Sequence, residues 1–251
     1  MNIRITVEYD GTHFRGWQRQ GELPTIQSLL EDCLEQTVGK KVVVYGSSRT
    51  DSGVHARAQV ANFYVDPSCP VPPDRWHLAL NRLLPPTIRV TSARIASDTF
   101  HSQKKVRSKI YEYRILNRPH ASALDPRVYF FPRPLQWERI REVLPLFVGY
   151  KDFKAFQGAK ATVKTTERTL MRFDLFEEPD LLFRFELEGS GFLKQMVRTL
   201  IGTVVEIGQG LRDSASIEEL FRSLDRRQAG RTAPASGLSL IRVNYHESQD
   251  N

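Results

Sequence analysis

Residues 46–56 read GSSRTDSGVHA, and the rest of the chain is organised around them. Apolar runs flank the stretch at residues 42–45 and 60–65. Because most of its own residues are small, polar or charged, the stretch is predicted to be a loop between two strands. Loops at the ends of strands often carry catalytic groups, which makes Asp51 and Arg49 candidates for chemistry. Asp also favours turns, so a purely structural Asp51 ahead of Gly53 is the alternative.

The first half of the chain, residues 1–105, reads as a small α+β unit. Apolar and polar residues alternate over residues 3–9, which predicts a half-buried strand. Apolar spacing predicts a helix over residues 25–34 that ends at Gly39. A second helix near residues 75–84 and a strand over residues 88–95 follow the loop and its two strands.

The second half, residues 106–251, repeats this order of elements approximately. The predicted strands cover residues 110–116, 168–176, 181–187 and 239–245, and the predicted helices residues 135–147, 191–207 and 217–224. The repeated order predicts an α+β fold of two pseudo-repeated halves. Each half has an antiparallel sheet with helices on one face, and a central cleft lies between the halves.

Composition limits the classes of function. The 251 residues are 40% hydrophobic, which is enough for a full core, and the formal net charge of +7 is spread over both halves. A distributed positive charge suits a polyanionic partner such as a nucleic acid. The two cysteines, Cys33 and Cys69, predict no disulfide framework, and the six histidines have no zinc spacing. No apolar run is long enough to cross a membrane, so a cytoplasmic protein is expected.

Two further segments contain candidate binding residues. Residues 10–20 mix turn residues and aromatics with Arg15 and Gln18, a composition that suits contact with a base or a sugar, or packing of the loop onto the sheet. In the helix predicted after Gly191, Lys194 and Arg198 lie along the edge of a broad apolar face. A part-buried guanidinium there needs an acidic partner or a phosphate, or else it extends its stem along the apolar surface towards water.

Several blocks of the chain resemble the tRNA pseudouridine synthase A (TruA) family. Residues 48–56, SRTDSGVHA, are similar to the GRTD-GVHA motif of that family. Blocks in the family's order span nearly the whole chain, and such an ordered set is far more specific than one motif. The further blocks are YDGT at 9–12 with Phe14, GWQ at 16–18, KIYEY at 109–113, DF at 152–153 with Phe156, GSGFL at 189–193, MVR at 196–198, TAP at 232–234 and GL at 237–238.

Two positions depart from the family pattern. Ser48 stands where the family usually has Gly, and residues 101–104 read HSQK where it usually reads HARF. The second change removes an arginine and therefore bears on tRNA specificity.

The resemblance implies conversion of uridine to pseudouridine in the anticodon stem-loop of tRNA, at positions 38 to 40, by a homodimer without metal or cofactor; relatives act on other uridines. It also implies that Asp51 either attacks C1′ or removes the proton from C2′, and that Arg198 keeps this carboxylate ionised. Tyr111 stacks on the uracil, and Arg49 fills the gap that the flipped base leaves. The expected RNA contacts are Arg49, His55, Arg57, Arg15, Gln18, Lys109 and Lys194.

Two other classes of protein share part of this pattern. The triplet Asp51-Ser52-Gly53 matches the Asp-Ser/Thr-Gly triplet of aspartic proteases, but that chemistry needs two such aspartates and the chain has no second copy. A non-catalytic RNA-binding protein of the same fold would retain the positive charge and lose the set Asp51, Tyr111 and Arg198. All three are present, which favours the enzyme.

Overall fold

The computed structural model describes residues 1–159 and 163–246. The chain folds into two compact units, one formed by Met1–Ser108 with the segment that begins at Ser239, and one formed by Lys109–Leu238. The strands are β1 Asn2–Tyr9, β2 Tyr45–Gly46, β3 His55–Tyr64, β4 Ile88–Ala96, β5 Val106–Leu116, β6 Tyr129–Phe130, β7 Gly149–Asp152, β8 Glu167–Glu178, β9 Leu182–Gly189 and β10 Leu238–Tyr245. The α-helices are α1 Ile26–Val38, α2 Trp76–Leu83, α3 Trp137–Val143, α4 Met196–Gly208 and α5 Ala215–Ser223. The predicted α+β class is confirmed.

The first unit is built on strands in the order β4-β1-β3-β10, with β2 paired to β3. Strand β1 is antiparallel to both of its neighbours, and its alternation buries Ile3, Ile5 and Val7 completely. Helix α1 begins after Thr25, whose side chain accepts the Ser28 N–H in a capping box. The helix ends as predicted at a left-handed Gly39.

The second unit is built on strands in the order β5-β9-β8-β7, with β6 paired to β5. The pairs β5–β9, β9–β8 and β8–β7 are antiparallel, as predicted, whereas the short β6 runs parallel to β5. Helix α4 supplies a fully buried apolar face that includes Leu200, Ile201 and Val204. Among the described residues, no helix is long and apolar enough to cross a membrane.

The strand predicted before the Asp51 loop is mostly absent. Only Tyr45 and Gly46 pair with β3. The preceding backbone bonds instead to side chains of α1, since the Val44 N–H donates to Glu31 at 3.1 Å and the Val44 carbonyl accepts from Gln27 at 3.0 Å. The apolar pattern predicted the burial of this segment but not its hydrogen-bond partners.

The helix predicted from residue 191 begins five residues later, at Met196. Gln195 has a left-handed backbone with φ 60°, which an α-helix cannot include, so the chain turns before it enters α4. The carbonyl of Lys194 accepts from Gly158 at 2.8 Å and so is bonded outside the helix. The apolar residues at 192 and 193 fit the helical period although they precede the helix.

The last strand lies in the first unit, whereas the sequence grouped residues 239–245 with the second half. Ser239 and Leu240 pair in parallel with His55 and Ala56 of β3. The boundary between the units falls after Ser108, close to the predicted boundary at residue 105. The pseudo-repeat and the central cleft stay predictions.

Candidate active site

The backbone on either side of Asp51 is bonded to the loop that follows β1. Trp17 N–H donates to the Thr50 carbonyl at 3.1 Å, and Gly53 N–H donates to the Phe14 carbonyl at 3.3 Å. These two bonds hold the Asp51 segment at both ends, and the Asp51 side chain itself is half-buried. The first sequence block and the Asp51 motif therefore form one local structure.

Gly16 is required for this contact between the two loops. Its φ is +87°, and a Cβ at this position would lie 2.5 Å from the carbonyl oxygen of Thr50. At the end of β1, the Tyr9 hydroxyl lies 2.8 Å from the Thr50 hydroxyl, and one donates to the other. Any side chain at residue 16 would push the loops apart and move Asp51.

Gln59 of β3 holds the residues just before Asp51. Its Oε1 accepts from the Ser47 hydroxyl at 2.7 Å and from the Ser48 N–H at 3.2 Å, and its Nε2 donates to the Ser48 carbonyl at 2.6 Å. Ser48 is buried and does not have a positive φ, so its backbone does not require the glycine that the family usually has there. Sequence reasoning missed Gln59, because β3 contains other polar residues and nothing in the sequence distinguishes this one.

The other departure from the family pattern also has a defined setting. Ser102 is fully buried, and its hydroxyl donates to the Tyr45 carbonyl at 2.5 Å. The Tyr245 hydroxyl donates to the Ser102 carbonyl at 2.7 Å. Gln103 and Lys104 are exposed on the turn that Ser102 anchors.

His55 is buried in β3, with a side chain that is 5% exposed. Its Nδ1 accepts the Gly11 N–H at 3.1 Å and lies 3.1 Å from Asp10 Oδ1. The imidazole thus links β3 to the loop after β1, an arrangement that suits positioning of the loops. The remaining candidates of this unit, Arg15, Gln18, Arg49 and Arg57, are exposed.

Tyr111 lies on the buried face of β5, opposite Leu187 of β9, and is 6% exposed. The Phe192 ring meets the Tyr111 ring edge to face, with centroids 5.1 Å apart. Phe192 also packs against Gly189, where a Cβ would lie 3.1 Å from its ring. The turn before α4 therefore fixes the plane of the tyrosine.

Arg198 is half-buried on α4 and is bonded to Ala233. Its Nε donates to the Ala233 carbonyl at 2.8 Å, and the Ala233 N–H donates to the Arg198 carbonyl at 3.0 Å. The Tyr113 hydroxyl donates to the Pro234 carbonyl at 2.8 Å. Burial raises the pKa of Tyr113 well above its usual value, so this hydroxyl stays a donor. Close approach of residues 231–234 to α4 is possible because residue 202 is glycine, where a Cβ would lie 1.6 Å from the Arg231 carbonyl oxygen.

The two candidate lysines of the second unit differ in setting. Lys109 is half-buried, and burial together with the charge of Arg168 lowers its pKa to about 8. Lys194 is exposed, and its Nζ donates to the Ala159 carbonyl at 3.2 Å. Sequence reasoning did not include Tyr113 or Arg168 among the site residues, although Tyr113 lies in the block at 109–113.

The ten candidate residues divide between the two units. The first unit holds Asp51, Arg49, His55, Arg57, Arg15 and Gln18, and the second holds Tyr111, Arg198, Lys109 and Lys194. Within the described ranges, no three His, Cys, Asp or Glu side chains are grouped so that they could hold a metal ion.

Comparison with known proteins gives consistent matches. Residues 5–103 and 144–246 match the sequence model of the tRNA pseudouridine synthase family. The chain is 40% identical over 245 residues to the tRNA pseudouridine synthase A of Acetivibrio thermocellus, covering 97% of this chain and 99% of that protein. It is 41% identical over 245 residues to the tRNA pseudouridine synthase A of Geobacillus sp. (strain WCH70), covering 97% and 98%. A solved Cbf5-Nop10-Gar1 complex is a distant match, at 12% identity and a TM-score of 0.38, covering 94% of this chain and 57% of that chain.

Proposed function

The chain belongs to the tRNA pseudouridine synthase family, and we propose that it isomerises uridine to pseudouridine in the anticodon stem-loop, at tRNA positions 38 to 40. Family membership makes the protein an isomerase of tRNA uridine. The observation that carries the assignment of the site is the Asp51 loop. Its backbone makes two bonds to the neighbouring loop and two to Gln59, and the Ser47 hydroxyl makes a third bond to Gln59, which is more order than a simple turn requires.

The reaction needs only one carboxylate. The N1–C1′ bond breaks, the uracil turns within the site, and C5 bonds to C1′; C5 loses its hydrogen and N1 gains one. A hydrolytic glycosidase needs a second carboxyl group because it must activate water or protonate a departing group. Here the base is never released, so Asp51 has one task, either attack on C1′ or removal of the C2′ proton.

Arg198, Tyr111 and Arg49 are proposed to assist Asp51 in three different ways. Asp51 must be ionised, and Arg198 is the proposed cation, because an opposite charge favours the ionised form of a carboxyl group. Tyr111 is proposed to stack on the uracil, and its packing against Phe192 supports a fixed ring plane. Arg49 is proposed to replace the flipped base, whose removal from the stack costs about a few kcal/mol.

The RNA contacts are proposed to come from exposed polar and cationic side chains. In the first unit these are Arg15, Gln18 and Arg57, and in the second unit Lys194 and the half-buried Lys109. Because His55 is buried and bonded to Gly11, its proposed contribution to RNA binding is to hold the loops. The same resemblance implies a homodimer in the cytoplasm, which we propose as well. A monomeric mass in light scattering at working concentration would contradict the dimer.

The test replaces Asp51 by Asn, which has the same shape and no charge. We expect the Asp51→Asn variant to lose release of the C5 hydrogen from labelled uridine in tRNA transcripts, by about 10⁴-fold or more, as in other single-catalyst knockouts. Binding of tRNA should remain close to that of the unchanged protein, because Asp51 acts on the sugar and makes no anion contact.

The exposed Asp98 provides the matched control, since Asp98→Asn makes the same chemical change outside the site. Turnover by Asp51→Asn at the control rate would overturn the assignment of Asp51. Mapping the pseudouridine in the tRNA product tests which position is modified. Modification outside the anticodon stem-loop would contradict the assignment to positions 38 to 40.

A further inference from the structure

Two cations share the sheet face that carries Tyr111. Alternate residues of a strand face the same side, so Lys109 and Tyr111 lie on one face of β5. Lys109 is opposite Gly189 of β9, which is opposite Leu170 of β8. Arg168 lies two residues before Leu170, and residues 168–170 pair with β7 without a bulge. The Arg168 side chain therefore lies on the same face of the sheet as Lys109. Both cations thus lie at the end of the sheet face beyond the tyrosine.

The surroundings of Lys109 and Arg168 disfavour the protonated, charged form of both side chains. Lys109 is half-buried, and its pKa falls to about 8, first because of burial and second because of Arg168. Burial also lowers the pKa of Arg168. Two like charges that are partly removed from water repel one another. An anion placed between them would attract both and so offset the free-energy cost of holding them there.

The guanidinium of Arg168 is held in place through one of its three nitrogens, and the other two can bind a ligand. Among the described residues, both of its hydrogen bonds are made by Nη1, to the carbonyls of Thr165 at 3.0 Å and Glu167 at 2.6 Å. Its Nε faces Gly191, where a Cβ would lie 3.6 Å away. The nitrogens Nε and Nη2 together present the paired donors that bind a phosphate in two places.

Ser190 fixes the end of β9 to Thr169, the residue that follows Arg168 in β8. It is exposed and lies between two glycines, and its backbone N–H donates to the Thr169 carbonyl at 3.0 Å. Its Oγ accepts the Thr169 N–H at 3.1 Å, so both bonds hold the turn after β9 against the backbone of β8. Gly191 has no side chain beside the Arg168 Nε, and this leaves space next to the guanidinium.

We propose that Lys109 and Arg168 bind one backbone phosphate of the RNA, adjacent to the nucleotide whose base meets Tyr111. The proposal rests on the proposed function in that it takes RNA as the ligand. Two residues of strand separate Lys109 from Tyr111 by about 7 Å. The phosphate site therefore holds the backbone close to the target base and sets which nucleotide faces the tyrosine.

The experiment measures the affinity for a tRNA transcript over a range of salt concentrations. The proteins are the unchanged chain, Lys109→Met, Arg168→Met and the double variant. We expect each single variant to lose affinity at low salt by about tenfold or more. The slope of log affinity against log salt should fall by about 0.7–0.9 in the double variant, the value for one phosphate.

Matched controls are Lys40→Met and Arg82→Met, which remove exposed charges of the first unit and should leave the affinity nearly unchanged. Lys109→Arg preserves the charge and should retain the slope of the unchanged chain. A slope change of about twice the one-phosphate value in the double variant would mean two separate phosphates and overturn the shared site. Affinity and slope equal to those of the controls would overturn it completely.

Release of the C5 hydrogen tests the proposed function, and the salt dependence of the affinity tests the phosphate site, so the two can fail independently. If the unchanged chain releases the C5 hydrogen but the double variant keeps its affinity and slope, the phosphate site is wrong and the isomerase stands. If the unchanged chain releases no hydrogen while the slope falls as expected, the site stands and the function is wrong. Unfolding curves recorded on every variant identify any loss of affinity that comes from loss of folded protein.

Discussion

Burial and the nearby Arg168 disfavour the charged form of Lys109, so the free energy of unfolding should depend on pH. Its pKa is about 8 in the folded protein and about 10.5 in an unfolded chain, so the folded state binds fewer protons between these values. Stability should therefore rise as the pH increases from about 8 to 10.5. Below pH 8 the full cost of the buried charge is present, and it amounts to at most about 3 kcal/mol.

The Lys109→Met variant tests this relation. At pH 7 we expect the variant to be more stable than the unchanged protein, because a half-buried charge is removed and the apolar stem is kept. Its advantage should shrink as the pH rises above 8. Thermal unfolding between pH 7 and 10 measures both effects, with the exposed Lys40→Met as the control. A variant that is less stable at pH 7 would contradict the prediction and show that interactions of the ammonium group stabilise the folded protein.

At the scale of single residues, the sequence predicts catalytic groups better than the residues that hold them. Asp51 stands out because its segment is rich in small and polar residues between apolar runs. Gln59 binds that segment through three hydrogen bonds, yet an amide side chain in a strand does not indicate where its partners lie. Its role depends on contacts twelve and eleven residues away in the chain, and local periodicity contains no information about them.

At the scale of elements, Tyr113 joins strand β5 to the segment that holds Arg198. Its side chain is fully buried, and its hydroxyl donates to Pro234, next to the residue that exchanges two hydrogen bonds with Arg198. Removal of the hydroxyl frees the Pro234 carbonyl and loosens the segment. The arginine then keeps its charge and loses part of its fixed position.

We therefore expect Tyr113→Phe to lower kcat by about tenfold and to leave KM for tRNA nearly unchanged, since misplacement of a charge affects the transition state most. Loss of one buried hydrogen bond should also reduce the free energy of unfolding by about 1–2 kcal/mol. Single-turnover kinetics and thermal unfolding provide the two readouts, with the exposed Tyr150→Phe as the matched control. An unchanged kcat with reduced stability would limit Tyr113 to a structural role.

Element boundaries show why periodicity alone is insufficient. The apolar pattern continues through residues 192 and 193, and both fit the face of α4 although they lie in the preceding turn. What sets the true start is the left-handed Gln195 and the bond from Gly158 to the Lys194 carbonyl. Both depend on tertiary structure, whereas the Gly39 cap that ends α1 is a local signal and was predicted correctly.

At the scale of the whole molecule, the α+β class follows from the order of elements, but the position of the last strand does not. Strand β10 pairs in parallel with β3, about 180 residues earlier in the chain, and no turn connects the two. Parallel pairs lack the hairpin turns that mark antiparallel neighbours in a sequence. The sequence therefore predicted the strand itself and left its neighbour undetermined.

The contacts of β10 predict what its removal does. Leu240 is fully buried, Tyr245 packs against Phe100 with ring centroids 5.3 Å apart, and Asn244 Nδ2 donates to the Ser108 hydroxyl at 2.9 Å. All of these partners belong to the first unit. A chain that ends after Leu238 leaves β3, which carries His55 and Gln59, without its parallel neighbour.

We expect this truncated chain to lose hydrogen-exchange protection selectively. The amides of β3 and of residues 100–102 should exchange faster by a factor of 100 or more, which corresponds to about 3 kcal/mol at 1.4 kcal/mol per tenfold change. The amides of β8 and β9, which pair with one another inside the second unit, provide the internal control and should change little. Because the Asp51 loop depends on β3, release of the C5 hydrogen should fall together with protection of β3. Equal loss of protection in both units would instead mean that the chain unfolds as one cooperative body, with β10 contributing to the stability of all of it.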